Sequence, residues 1–323
     1  MSDLDPTHAP VRPFLNWPVV TDPRAWKADA ALIGLPNSEP YSGDPWPNDQ
    51  TRAPDAVRQQ SLQVTDDIDR WDFDLGHVIG STWPSRCVDC GNVPWTGGPF
   101  QSHMSRVTAL MRQLWRSGTQ VFVVGGDHGV TIPVLDALDA LGSSVYVLHV
   151  DAHLDWRENV GGVRHGYSSP LYWASQKSFV SGMTQIGLRG TGSARREEYQ
   201  AAQRYGSRIF TAAQIHEHGT AAVMASIPKD SAVYVTIDAD GLDPTEMPAV
   251  MAPVPGGLLF RQVAALLRDV ARANRIVGMD IVEVAPGRDS PNRISCITVG
   301  RLIANALGAS WCPGGVFERP AAS

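Results

Sequence analysis

The sequence predicts an α/β fold: a single three-layer α/β/α domain around a central, mainly parallel sheet. Apolar runs such as VFVVGG, VYVLHV and VYVTI alternate along the chain with segments of helical apolar spacing, as βαβ units do. These runs are rich in β-branched residues and lack polar alternation, which marks strands covered on both faces. A third observation concerns position: motifs bearing His and Asp begin where these runs stop. In open parallel sheets, ligands gather at the carboxyl ends of the strands.

Taken in order, residues 1–30 are polar and proline-punctuated and read as an N-terminal arm. ALIGLP (31–36) is the first buried strand, and after a Gly/Pro/Asp-rich loop Ala53–Gln60 opens a helix. Residues 62–102 read as irregular structure with turns. Val107, Leu110, Met111 and Leu114 give Met104–Arg116 a helical stripe. A strand at 120–124, a helix near 132–141 and a strand at 145–150 follow, then a long loop (156–169). Thr184–Leu188 and Arg208–Thr211 read as strands, 213–226 as a helix and Ala232–Ile237 as a strand. Leu259–Ala273 is an amphipathic helix, Ile276–Val284 a strand and Ile294–Leu307 the final helix, with Gly308 placed to end it. No linker composition divides 31–312, which reads as the catalytic domain, and 313–323 reads as a tail.

Composition narrows the functional classes. The chain has 323 residues, 19% of them charged, and a net charge of −6. It therefore has no sequence-wide basic field for nucleic acid or anionic lipid. An apolar signal core and a transmembrane run are both missing, so the expected location is cytoplasmic. Cys87 and Cys90 form a lone C-x-x-C among four cysteines. With no second pair and no thioredoxin-like strand before it, the reading is two unrelated thiols.

Chemistry concentrates in six side chains: His128 in GGDH, Asp151, His153 and Asp155 in DAHLD, and Asp238 and Asp240 in DAD. Alternate residues of a strand share a face, so Asp151/His153 and Asp238/Asp240 can each point into one site. Four carboxylates and two imidazoles exceed what one four-coordinate ion needs. They suit two divalent ions with bridging carboxylates. Asp and His also cap helices, and one cluster alone would not separate the two readings. Three clusters at strand ends do, because crowded carboxylates are costly unless cations neutralise them.

On these motifs the chain resembles the ureohydrolase superfamily of arginases, agmatinases and other guanidino-compound hydrolases. GGDH, DAHLD and DADGLDP match its three metal motifs, supported by Arg52-Ala53-Pro54, DCGNV, QIGLRG and Asp280-Ile281-Val282-Glu283. The resemblance implies an arginase-like fold holding two divalent ions, manganese first and nickel as runner-up. His128 and Asp155 would bind one ion and His153 and Asp240 the other, with Asp151 and Asp238 bridging. It further implies that Asp155 stabilises the tetrahedral intermediate, that His165 relays a proton to the departing amine, and that Glu283 pairs with the guanidinium. The implied assembly is a trimeric or hexameric homo-oligomer, with a paralogous subunit as a variant. Asp127 and Asp243 fall outside the ligand set. His149 shares the face of Asp151, and packing is the favoured reading for it.

Three departures bear on the substrate. Gly129 follows His128 where the family typically has Ser. AVMAP (249–253) stands where many members carry Gly-Thr-Gly-Thr-Pro, and Tyr167 replaces a small hydroxyl residue. WRENVGGVRHG also lacks the Asn/Ser pattern with which arginases hold an amino-acid head group. The expectation is a small or alkyl-substituted guanidine, cleaved to urea and an amine. Agmatine, biguanides, and guanidino acids held by Arg157 or Arg164 are the alternatives. Metallophosphatase signatures are absent, the six ligands exceed those of zinc deacetylases, and no phosphate-binding glycine motif occurs. A non-catalytic subunit of a hetero-oligomer would show lost ligands, and none is lost.

Overall fold

In chain order the strands are β1 (Ala30–Leu35), β2 (Trp71–Asp72), β3 (His77–Val78), β4 (Cys87–Asn92) and β5 (Gln120–Gly125). They continue as β6 (Val145–Val150), β7 (Val180–Leu188), β8 (Arg208–Thr211), β9 (Ala232–Asp238) and β10 (Arg275–Val282). The computed structural model describes residues 4–37, 39, 41–43, 48–65, 67, 69–78, 83–95, 100–191 and 194–312. The tail expected over 313–323 lies outside them. Apart from the β2–β3 hairpin, the strands form one eight-stranded sheet in the order β4-β1-β5-β10-β9-β6-β7-β8. Every pairing in that sheet is parallel.

Helices cover both faces. Those before β6 are α1 (Ala53–Gln60), α2 (Phe100–Arg116) and α3 (Thr131–Asp136), and those between β6 and β9 are α4 (Pro170–Ser175), α5 (Arg196–Tyr205), α6 (Ala212–His218) and α7 (Ala221–Ser226). The last two are α8 (Phe260–Ala273) and α9 (Ile294–Trp311). Strand residues alternate between two cores, as the two-residue pleat requires. Leu32, Phe122, Val235 and Ile237 pack with α1 and α6–α9, whereas Ile33, Val123 and Tyr234 pack with α2–α5. This is the expected three-layer α/β/α arrangement.

Several elements depart from the expectation. Within the supposedly irregular 62–102, β4 pairs with β1, Ala30 lying opposite Cys87. CVDCGN carries little apolar signal because Asp89 forms a buried ion pair with Arg58, at 2.8 Å, in place of apolar packing. The arm is packed: Phe14, Trp17 and Trp26 are buried, and Phe14 N–H donates to Asp89 Oδ2 at 2.8 Å. The helix expected over 213–226 breaks at Gly219. Polar α5 carried too few apolar residues to be seen. Gly308 does not end the last helix, which runs on to Trp311. Cys87 and Cys90 join opposite faces of β4, so the C-x-x-C is not a redox pair.

The strand order positions the site. After β5 the chain crosses to β6, which lies three strands away, and β9 and β10 later fill the gap between them. The carboxyl ends of β5, β10, β9 and β6 therefore lie side by side at a topological switch point.

Candidate active site

The six expected ligands lie at or just after the ends of β5, β6 and β9. His128 opens a 3-10 turn after β5, capped by Asp127, whose Oδ1 accepts the Gly129 N–H at 3.0 Å. His128 Nδ1 lies 2.9 Å from Asp155 Oδ2 and 3.3 Å from both Asp151 Oδ2 and Asp238 Oδ2. His153 Nδ1 lies 3.2 Å from Asp240 Oδ2 and 3.4 Å from Asp151 Oδ1. Asp151 thus turns one oxygen toward each histidine. Asp238 is less symmetric: Oδ2 faces His128, while Oδ1 accepts the Asp240 N–H at 2.9 Å. A Cβ at Gly241 would fall 2.8 Å from Asp151 N, so the two ligand loops meet only because that residue is glycine. Asp155 and Glu283 hold left-handed φ angles of 49° and 63°, a strain that packing must maintain.

Behind the ligands, hydrogen bonds fix which atoms face the centre. Thr236 Oγ1 donates to Asp280 Oδ1 at 2.5 Å and lies 3.0 Å from His128 Nε2. A hydroxyl has one proton, so Thr236 accepts from His128 Nε2–H, leaving the Nδ1 lone pair for a ligand role. Similarly, the Gln185 amide donates to His149 Nδ1 at 3.0 Å, which makes His149 Nε2–H the donor to Asp151 Oδ2 at 2.8 Å. His149 is therefore a partner of Asp151 as well as a packed core residue. Arg189 donates to the carbonyls of Asp240 and Val254, each at 2.6 Å, and clamps the DAD loop. Gln185, Arg189 and Asp280 lay inside matched motifs and His149 on the strand face of Asp151, but nothing in the sequence distinguished Thr236.

Electrostatics tests whether a metal pair fits. Burial alone would push His128 down, but Asp151, Asp155 and Asp238 hold it well above its usual value. Burial would likewise lower His153, and Asp151 and Asp240 carry it to about 12. Burial and neighbouring carboxylates push Asp238 well up and Asp240 to about 6. Without cations the cluster therefore retains protons. Among the described residues no well-directed hydrogen bond reaches the buried His128 Nδ1. An orphaned imidazole nitrogen among mutually repelling carboxylates, with no thiolate, fits two hard-to-borderline divalent ions.

The site opens into a cavity of about 390 Å³, whose wall includes Asn48, Gln50, Tyr167, Ser168, Met251 and Ala252 beside the ligands and Glu283. Glu283 Oε1 accepts the His128 N–H at 2.8 Å, and Oε2 accepts from Gln50. Burial and neighbouring Asp127 push its carboxyl well up. His165 is not brought to the cavity. Its ring stacks on Trp173 with centroids 5.2 Å apart, and its charged neighbours are Asp136, Arg164 and Lys177. Gly129 shows why: a Cβ there would sit 2.6 Å from His165 O, so the backbone of 165 occupies the space a serine would need. Arg164 lies over Trp173 and pairs with Glu158, while Arg157 is 3.6 Å from Glu198. Asp243 accepts from Thr245, Gly256 and Gly257 and holds a turn.

A parallel sheet with paired imidazole–carboxylate groups at its switch point defines a metal-dependent hydrolase. The chain belongs to the arginase family, whose profile matches residues 28–308. Members of that family are binuclear, metal-dependent hydrolases of guanidino and amidino C–N bonds. The N(1)-aminopropylagmatine ureohydrolase of Thermus thermophilus is 35% identical over 70% of this chain and 75% of its own. An agmatinase of Sodalis glossinidius is 31% identical over 91% of each. The proclavaminate amidino hydrolase structure from Streptomyces clavuligerus superposes with a TM-score of 0.76 at 28% identity, covering 95% of this chain and 99% of that one.

Proposed function

We propose that this chain hydrolyses a C–N bond of a compact guanidine, unsubstituted or alkyl-substituted, releasing urea and ammonia or an alkylamine. The observation that carries the substrate reading is the cavity wall. Among the described residues no Lys or Arg lines it, and Met251 and Ala252 form an apolar stretch. A guanidino acid would leave its carboxylate desolvated without a cation, which is costly. Arg157 and Arg164 are engaged elsewhere. A cationic tail such as that of agmatine is the runner-up, favoured by the agmatinases among the relatives. The apolar Met251–Ala252 stretch of the wall argues against it.

His128 and Asp155 would hold one ion and His153 and Asp240 the other, with Asp151 and Asp238 shared. When bound, such a pair supplies Lewis-acid charge and a hydroxide at neutral pH. Asp155 and Glu283 line the cavity as acceptors for the substrate cation, and among the described residues two of the four lone-pair positions on the Glu283 carboxylate remain free of protein donors. The nitrogen and oxygen donor set supports manganese, with nickel as runner-up. Exposed Trp71 and Phe73 support a homo-oligomer, and the free cysteines support a reducing, cytoplasmic setting. Among the described residues no helix is long and apolar enough to cross a membrane.

The test is urea release from guanidine, alkylguanidines, biguanides, agmatine, guanidino acids and arginine, with manganese and nickel supplied separately. Compact guanidines should give the highest kcat/KM. A clear preference for agmatine, arginine or a guanidino acid would overturn the substrate reading.

A further inference from the structure

We infer that Gln50 is a specificity-determining residue, whose side-chain carbonyl accepts an N–H of the bound guanidinium while its amide fixes Glu283 beside it. The inference rests on the function proposed above and names how that site reads its substrate. Gln50 lies in the turn Asp49–Arg52, just ahead of α1. The turn is anchored at both ends: Thr51 Oγ1 donates to Asn48 O at 2.8 Å, and the Gly287 N–H donates to the Asp49 carboxylate. That second bond ties the turn to the segment after β10, the same segment that carries Glu283.

Gln50 is only 4% exposed, yet it lines the cavity. Its Nε2 donates to Glu283 Oε2. That bond places the amide nitrogen, the side chain's donor end, against Glu283. The Gln50 Oε1 therefore turns away from Glu283. No protein donor among the described residues reaches it, and it is not among the sealed, unpartnered polar atoms such as those of Asn37. The open space that Gln50 lines is the cavity, so an oxygen turned away from Glu283 is placed to meet a ligand there. An acceptor so placed gains a hydrogen bond only from a ligand.

The chemistry selects that ligand. A guanidinium is planar, and its N–H groups all donate outward in that plane. A carboxylate attracts any cation, whereas a fixed neutral acceptor beside it rewards an N–H at one position. Glu283 and Gln50 together therefore form an edge for adjacent N–H groups, and a dialkylated nitrogen at that edge has nothing to donate.

The experiment compares guanidinium with 1,1,3,3-tetramethylguanidinium, by calorimetric binding to the metal-loaded protein, in wild type, Gln50→Met and Gln50→Glu. Urea release, metal content and unfolding temperature are followed in parallel. Gln50→Met should weaken guanidinium about tenfold to a hundredfold, the worth of a hydrogen bond to a charged group. It should change tetramethylguanidinium less than about threefold and raise KM more than it lowers kcat. Gln50→Glu keeps an acceptor and should keep the preference for guanidinium. Equal weakening of both ligands, or identical behaviour of the two variants, would reduce Gln50 to a structural support and overturn the inference. If wild type releases urea from no guanidine, the proposed function falls and this inference with it. If it does release urea and Gln50→Met leaves the binding ratio unchanged, this inference alone falls.

Discussion

Thr236 Oγ1 stands 2.5 Å from Asp280 Oδ1, in a core where neither residue is exposed. Tyr234 and Thr131 also donate to Asp280, at 2.7 and 3.0 Å. A buried carboxylate surrounded by hydroxyl donors forces the Thr236 proton toward itself. Thr236 can then only accept from His128, and the imidazole presents a lone pair to the metal position.

Thr236→Val removes that constraint and leaves His128 Nε2–H unpaired. Divalent-metal affinity should fall about tenfold to a hundredfold, as it does when such supporting partners are lost. Titration of metal into the metal-free protein measures this directly. Tyr234→Phe, which leaves the Thr236–Asp280 bond intact, should cost less. Equal affinities in wild type and Thr236→Val would show that the tautomer is fixed by other means.

His165 gives the sharpest contrast between motif and placement. Its ring stacks on Trp173, outside the cavity wall. His165→Ala should therefore lower kcat less than about tenfold, whereas losing a general acid typically costs about 10²–10⁴-fold. A loss in that larger range would mean that the 157–168 segment swings its histidine into the cavity during turnover.

These residues also show what the sequence could and could not reveal. The ligands were legible because each follows an apolar run, so the end of a strand and the start of chemistry coincide in one motif. Glu283 was legible for the same reason, after VGMDIV. Gln50 was not: its contact with Glu283 spans 233 positions, and nothing around it repeats or alternates. β4 escaped because its interior is stabilised by an ion pair instead of apolar side chains. The outward ring of His165 depends on the close approach of its backbone to Gly129, a tertiary contact with no local signature.

Arg58 and Asp89 are both fully buried, bonded through Arg58 Nε and an Nη at 2.8 and 2.9 Å. Asp89 also accepts the backbone N–H groups of Phe14 and Gly91, so it joins α1, β4 and the arm. Asp89→Asn leaves the buried guanidinium only the half-exposed carboxylate of Asp55, at 3.5 Å, and should cost about 3–5 kcal/mol. Denaturant unfolding of the metal-loaded protein reads this as a lower midpoint with an unchanged slope. A cost below about 1 kcal/mol, the range of an exposed pair, would show that the arm is held by its buried tryptophans instead.

The proposed sharing of Asp151 between two ions makes a prediction about stoichiometry. Its Oδ2 faces His128 and accepts from His149, while its Oδ1 faces His153 and accepts that residue's N–H at 2.6 Å. In Asp151→Asn one of these positions becomes an NH₂, which meets an N–H on either side and cannot ligate. The remaining charge on the carboxylate is lost as well, so both ligand groups weaken together. Metal content should fall from about two ions per chain to below one, with turnover lost. Asp240→Asn removes a ligand from the His153 group alone and should retain about one ion. Metal analysis of the purified variants separates the two cases. If Asp151→Asn keeps a full ion while Asp240→Asn keeps none, the carboxylate shared between the ions is Asp240, and Asp151 serves one ion only.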